Sequence, residues 1–366
     1  MRPEDTPPWP GDAPADLAER LDRARAHIEA VLPGEASLSD EPQSIYLLHS
    51  AERIRERFLE LRARLAPLGL LPLLRTRNGR PALILVPTPA PGRWAWQTNA
   101  LLFLATVGST FFAGYLQSES LVRAGYMSDA IRGGIAFSVS VLLILAAHEM
   151  GHRVAALRHG IDASLPYFLP MIPPVGTMGA VIITRTPAPN RDSLMDLGAS
   201  GPIAGFIVAI PVLLYGIARS FIVSPGRLEG VVSIPDPLLI RGLIELILHP
   251  PADAVVLGHP VLFAGWIGLI VTSINLLPAG MLDGGHAVRA AFGARAHMLL
   301  SYAGVALAAL MGFYPMAILI ALLLRRGHVG PLDDVSPLSR SRRLIGALLV
   351  VVFVLSAVIF PSPFAP

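Results

Sequence analysis

Polar and apolar positions divide this chain into two unequal parts. Almost every charge in the first 93 residues belongs to a head of mixed character, and beyond it long uncharged runs alternate with short polar links. Within the head, Leu17, Leu21, Ile28 and Leu32 fall on one face of a helix over about 15–32. A second helix is predicted over about 44–66, with Arg and Glu interleaved along its polar face. Residues 70–74 and 82–86 read as two short strands around Asn78-Gly79, a two-residue hairpin signal. Residues 15–90 are therefore expected to form a small cytosolic α+β domain. Residues 1–14, Pro-rich and acidic, are expected to be a disordered tail.

Past a Pro-rich linker the pattern changes to that of a bilayer, where a spanning helix needs about 20 largely apolar residues. No charge occurs between Arg93 and Glu119, which places a first span at about 99–116. Further spans are predicted at about 133–157, 197–223, 255–277 and 344–360. The stretch 296–324 is either one long span or a pair broken at Gly312 and Pro315, a stop followed by a start. One span would leave Arg325, Arg326, Arg340, Arg342 and Arg343 on the side opposite the head, against the positive-inside bias. A re-entrant break would return them. The expectation for 91–366 is thus an all-α polytopic membrane domain of six or seven transmembrane helices. Two connections stand apart. Residues 161–195 are rich in Pro and Gly yet apolar, which suggests a re-entrant, β-like loop lying at membrane depth. Residues 238–248 carry Arg241 and Glu245 in an apolar stretch and read as an interfacial helix.

Composition agrees with the pattern. Of 366 residues, 53% are hydrophobic and 15% charged, against about 25% charged in soluble domains. The net charge of +3 comes from arginines that flank apolar runs, so it marks membrane topology and argues against nucleic acid. There is no cysteine, which removes disulfides, thiolate nucleophiles and cysteine metal sites. Any metal must be held by His, Asp or Glu. All 29 basic residues are Arg, in keeping with a GC-rich bacterial genome. The N-terminus has no apolar signal region, so the head is expected in the cytoplasm and the rest in the bacterial cytoplasmic membrane.

The second span carries His148-Glu149-Met150-Gly151-His152 in its last third. Histidines four apart on a helix project from one face and can share a zinc ion, with Glu149 beside them as general base. Two packed histidines in a polar seam would give the same pattern. Within a bilayer that explanation weakens, because ionisable groups there are expensive and usually functional. A catalytic zinc also needs a third protein ligand. Asp283, beyond the fourth span and followed by Gly284-Gly285, is a candidate; a helix cap is the competing role for it. His286 is a candidate supporting group.

These residues resemble the site-2 protease family of intramembrane zinc metalloproteases. The resemblance rests on His148–His152, on Gly176-Thr-Met-Gly-Ala180, and on Asn275-Leu-Leu-Pro followed by Leu282-Asp-Gly-Gly285. Arg191–Asp196 and Gly198–Phe206 look most like the plant chloroplast branch and its bacterial relatives. The resemblance implies a metalloendopeptidase with one Zn2+ per chain, held by His148, His152 and Asp283, and with Glu149 as catalytic base and acid. It implies that Asn275 meets the substrate backbone or the developing oxyanion. Gly176, Thr177, Met178 and Gly179 would offer a strand edge to an unwound membrane-spanning substrate, by strand addition. The connection 225–254 is too short for the inserted peptide-binding domain of some relatives. Two other readings stand beside this one: a catalytically silent membrane scaffold or chaperone of the same family, and a transporter using the cluster as an ion path.

Overall fold

The computed structural model describes residues 14–38, 45–49, 54–89, 96–224, 234–251, 253–324 and 328–360. The tail expected at 1–14 lies almost wholly outside them. In the head, α1 (Pro14–Val31) is followed by β1 (Ala36–Leu38), β2 (Ile45–Leu48), α2 (Ile54–Leu65), β3 (Leu70–Arg77) and β4 (Arg80–Pro87). The strands form one antiparallel sheet in the order β1-β2-β4-β3. Asn78 and Gly79 both have positive φ, 50° and 78°, the geometry that a tight hairpin with right-handed twist demands.

One predicted element is corrected. The helix expected from residue 44 begins only at Ile54, and Ile45–Leu48 is a strand paired with β4 through Ile45↔Ile84 and Leu47↔Ala82. The run Ile-Tyr-Leu-Leu has no polar position to face water, so it fits a covered sheet position better than a helix with one wet face. True helical spacing starts at Ile54, and Ile54, Phe58, Leu61 and Leu65 are all buried.

Among the described residues, three helices are long and apolar enough to cross a membrane: α3 (Trp96–Arg123), α4 (Ala130–Arg158) and α5 (Arg191–Ala218). The chain is an integral membrane protein. Between α4 and α5 lies an antiparallel hairpin of β5 (Tyr167–Pro170) and β6 (Thr177–Val181). After α5, β7 (Phe221–Val223) pairs with β8 (Val255–Leu257), with amphipathic α6 (Leu238–Ile247) between them. The fourth predicted span is therefore shorter than its apolar run. Gly258-His259-Pro260 interrupts it, and α7 (Pro260–Asn275) starts with Pro at its first turn, where the missing N–H costs nothing.

The stretch 296–324 is two helices, α8 (Asp283–Leu310) and α9 (Tyr314–Leu324), parted at Gly312 with φ 86°. His286 in the first turns of α8 touches His328 beyond α9, so the pair runs out and comes back. The last helix, α10 (Arg340–Ser356), then begins on the head side. There Arg342 Nη2 meets Asp196 Oδ2 at 2.9 Å, and Asp196 also bonds His159 at the end of α4.

The head is docked on that same end. Arg55 pairs with Asp192 at 2.8 Å, and the Arg62 guanidinium donates to the Gly160 carbonyl at 2.8 Å. Residues 328–339 are wedged between the two parts. Leu74 of β3 donates to the Leu332 carbonyl and accepts from Asp334, while Leu332 and Asp333 donate to Ala188 and Pro189 ahead of α5. The Leu332 side chain is fully buried in the head's own core. Arg75 donates to the Pro331 and Leu332 carbonyls at 2.8 and 2.7 Å. Burial pushes its pKa below the ordinary value, and Asp334 opposes that fall. Truncating Leu332 to Ala should cost about 2–5 kcal/mol of packing. The expected readout is a lower melting temperature in detergent and faster proteolysis of the head.

Candidate active site

The site assembles from three helices whose sequences bring their polar ends to one place. His148, Glu149 and His152 share the buried side of α4, while Met150 faces outward. Helix α5 covers them at unusually close range because Gly201 and Gly205 face the two imidazoles. A Cβ at Gly201 would collide with the His152 ring, and one at Gly205 would stand 3.2 Å from His148 Nδ1. Gly198, one turn earlier, lies against the Asp283 carbonyl. Small residues at this spacing let helix backbones approach.

Asp283 is the first residue of α8 and arrives after a tight turn from α7. A Cβ at Gly284 would meet the Leu276 carbonyl, and one at Gly285 the Gly280 carbonyl, so both glycines are needed for the turn to close. The result is a triangle. His148 Nε2 and His152 Nε2 are 3.2 Å apart, and each is 3.2 Å from Asp283 Oδ2. Among the described residues this is the one group of three or more His, Asp or Glu whose donor atoms converge. Asp283 opens α8 and at the same time turns Oδ2 toward both imidazoles.

The donors fit a metal ion on chemical grounds. His152 Nδ1–H donates to the Leu197 carbonyl at 2.7 Å, which turns Nε2 toward His148 and Asp283. Asp283 Oδ2 is buried and has no hydrogen-bond donor. Three ligand-type atoms thus crowd within 3.2 Å of one another in an apolar surround, a set that a cation can hold together. Two imidazoles and a carboxylate suit Zn2+, whose bonds of about 2.0–2.1 Å give tetrahedral edges of about 3.3 Å.

Around the triangle, the Asn275 side-chain amide at the end of α7 lies 3.3 Å from His148 Nε2. The Glu149 carboxylate faces the backbone of Ile182, just past β6. Gly176, Thr177, Met178 and Gly179 sit at the turn and start of β6. Strand β5 packs on α3 while β6 reaches α4, with Met178 71% exposed. Gly176 has φ 81°, and its carbonyl accepts from Ser109 Oγ at 2.7 Å. Asn99 and Gln117 of α3 hold the same connection through the Pro166 and Pro174 carbonyls.

Sequence reasoning missed several of these supports. The glycines at 198, 201 and 205 had a legible signal, small residues three and four apart within an apolar helix. The contacts His159–Asp196–Arg342 and His286–His328 join distant segments and leave no local trace. Two histidines and a glutamate on one helix face, with a carboxylate brought to them from α8, have the make-up of a metallohydrolase centre.

Comparison with known proteins fits that description. Residues 136–320 match the model of peptidase family M50, and the chain belongs to this family. It is 32% identical over 294 residues to the probable zinc metalloprotease EGY1, chloroplastic, of Arabidopsis thaliana, covering 71% of this chain and 52% of that protein. It is 27% identical over 318 residues to the probable zinc metalloprotease EGY2, chloroplastic, of Oryza sativa subsp. indica, covering 80% of this chain and 56% of that protein. The chain thus spans about half the length of the curated relatives it matches. No solved structure matches it.

The Gly201 contact yields a direct test. Gly201→Ala should displace the His152 ring and reduce bound zinc from about one per chain to below about half, read by elemental analysis of purified protein. Retention of full zinc by this variant would sink the cradle assignment.

Proposed function

We propose that the protein is a zinc-dependent endopeptidase that hydrolyses peptide bonds of membrane-spanning substrates, near the face of the bilayer that carries the head. The observation that carries this is the triangle of His148, His152 and Asp283, with Glu149 on the adjoining turn and a strand edge beside it. In this reading the three donors hold one Zn2+. Bound there, the ion would polarise a scissile carbonyl and acidify a water molecule, bringing its pKa toward about 7.

The remaining steps belong to the chain. Glu149 takes a proton from the attacking water and delivers it to the departing amide nitrogen, the role its position next to both histidines allows. Asn275 donates its amide hydrogens to the substrate backbone or to the oxygen where negative charge develops. A transmembrane substrate has its amides bonded internally, so it must unwind before attack. Residues 176–179 then lead it onto the outer edge of β6, which pairs with the opened backbone. The apolar helices around the site exclude bulk water from all but the head side.

The same reading takes the chain as six or seven spans, with the β5–β6 hairpin re-entrant and residues 15–90 as a cytosolic domain. The membrane is the bacterial cytoplasmic one, although the named relatives are chloroplast proteins. The α8–α9 reversal supports this topology, since it brings Arg342 to the head side as the positive-inside bias asks.

Glu149→Gln should lower cleavage of a reconstituted membrane substrate by about 10²–10⁴-fold while zinc stays near one per chain. Undiminished cleavage would falsify the role of Glu149. Wild-type protein with far less than one zinc would favour the transporter reading instead. A variant of the substrate-guiding turn separates binding from chemistry. In Gly176→Ala the new Cβ meets the Ser109 carbonyl and Thr110, at a positive φ, a strain of about 1–3 kcal/mol. The expected outcome is a fall of about tenfold or more in kcat/KM with zinc content unchanged.

A further inference from the structure

Three histidines lie outside the metal triangle yet close to it: His286 and His297 on α8, and His328 on the connection after α9. Their rings meet edge to face, with centroids 4.9 Å apart for both His286–His328 and His297–His328. They do not converge as a metal site; each has a hydrogen bond with a defined direction. His328 Nδ1 accepts from the Gly330 backbone N–H at 2.9 Å. The ring's single proton is therefore on Nε2, which donates to His286 Nδ1 at 2.9 Å. Burial pushes the His328 pKa well below the ordinary imidazole value, with His286 and His297 adding to it, so the neutral form holds at pH 7.

His286 follows Asp283 by three residues, on the first turn of α8. The turn before Asp283 is held from the other side, since His297 Nε2–H donates to the Gly280 carbonyl at 3.0 Å and Ser301 Oγ accepts from its N–H at 3.0 Å. What fixes His328 is the wedge of residues 328–339. There Arg289 Nη1 and Nη2 bind Asp334 at 2.9 and 2.6 Å, and Arg191 reaches the Asp334 carbonyl at 2.9 Å. Leu332, two residues past Gly330, is locked in the head's core. His328 is thus a donor on a rigid mount, pointed at the helix turn that presents the metal carboxylate.

We propose that His328 is a positioning residue for the metal site: by donating through Nε2 to His286 it fixes the first turn of α8, and with it the placement of Asp283 against His148 and His152. The proposal rests on the reading of those three residues as the zinc ligands. Groups that orient a metal ligand from behind typically change metal affinity by about 10–100-fold when removed.

The test uses full-length protein in detergent, carrying His328→Ala, His328→Gln or His328→Asn. Zinc affinity is measured by competition with a chromogenic chelator, and melting of the metal-free protein is followed in parallel. A Gln amide can reach His286 as a donor but does not cap the Gly330 turn. An Asn oxygen caps the turn but does not reach His286. The expected result is a loss of about 10–100-fold in zinc affinity for Ala, recovery to within a few-fold for Gln, and no recovery for Asn. Any other order among the three overturns the proposal. Recovery by Asn alone would show that His328 only shapes its loop. Wild-type protein that binds no zinc overturns the ligand assignment, and the positioning role with it. Wild-type protein that binds one zinc with an affinity indifferent to His328→Ala overturns the positioning role alone.

Discussion

Everything in this molecule answers to one electrostatic problem. Two imidazole nitrogens and a carboxylate oxygen stand 3.2 Å from one another inside an apolar bundle, with the His152 ring turned by its bond to the Leu197 carbonyl so that Nε2 faces the group. In water such a set would be screened and solvated. In the interior it holds together only where something supplies opposing charge and where packing prevents the groups from turning away. The surrounding helices meet the second condition. Leu197 fixes the ring of His152, the glycines of α5 press its backbone onto both histidines, and the turn before α8 leaves Asp283 no room to withdraw.

The same demand explains why polar contacts gather at one end of the bundle. His159, Asp196, Arg342, Asp192, Arg55, Asp334 and Arg289 all belong to the region where α4 ends, where α5, α8 and α10 begin, and where the head docks. Surface ion pairs contribute little singly, but these are part-buried and share partners, so they act as a connected tie rather than as separate bridges. The head is bound into this tie through Leu74, Arg75 and the buried Leu332.

How much of this was legible before any coordinates depends on range. The apolar runs marked α3, α4 and α5 because a bilayer imposes one coarse rule on composition, and Asn78-Gly79 marked its hairpin because two positive φ values demand those residues. The pairing of His148 and His152 followed from helical spacing, whereas bringing Asp283 to them depended on a resemblance, since nothing local fixes a contact between α4 and α8. Strand β2 was misread for a related reason. Its apolar run carries no helical period, and what makes it a strand is the pairing with β4, which lies far along the chain. The reversal at Gly312 was visible as two alternatives. Only the meeting of His286 with His328 selects between them, and that contact has no sequence signature.

The α8–α9 reversal also bears on how the chain is made. A segment that leaves and re-enters by the same face contributes no net crossing, so the orientation of α10 does not depend on it. Insertion machinery that reads flanking arginines meets Arg340, Arg342 and Arg343 on the face where the head was left behind. Asp283 stands at the root of the reversal, more than a hundred residues after His148, so the three donors cannot meet until α8 has been made, long after the first two histidines have left the ribosome.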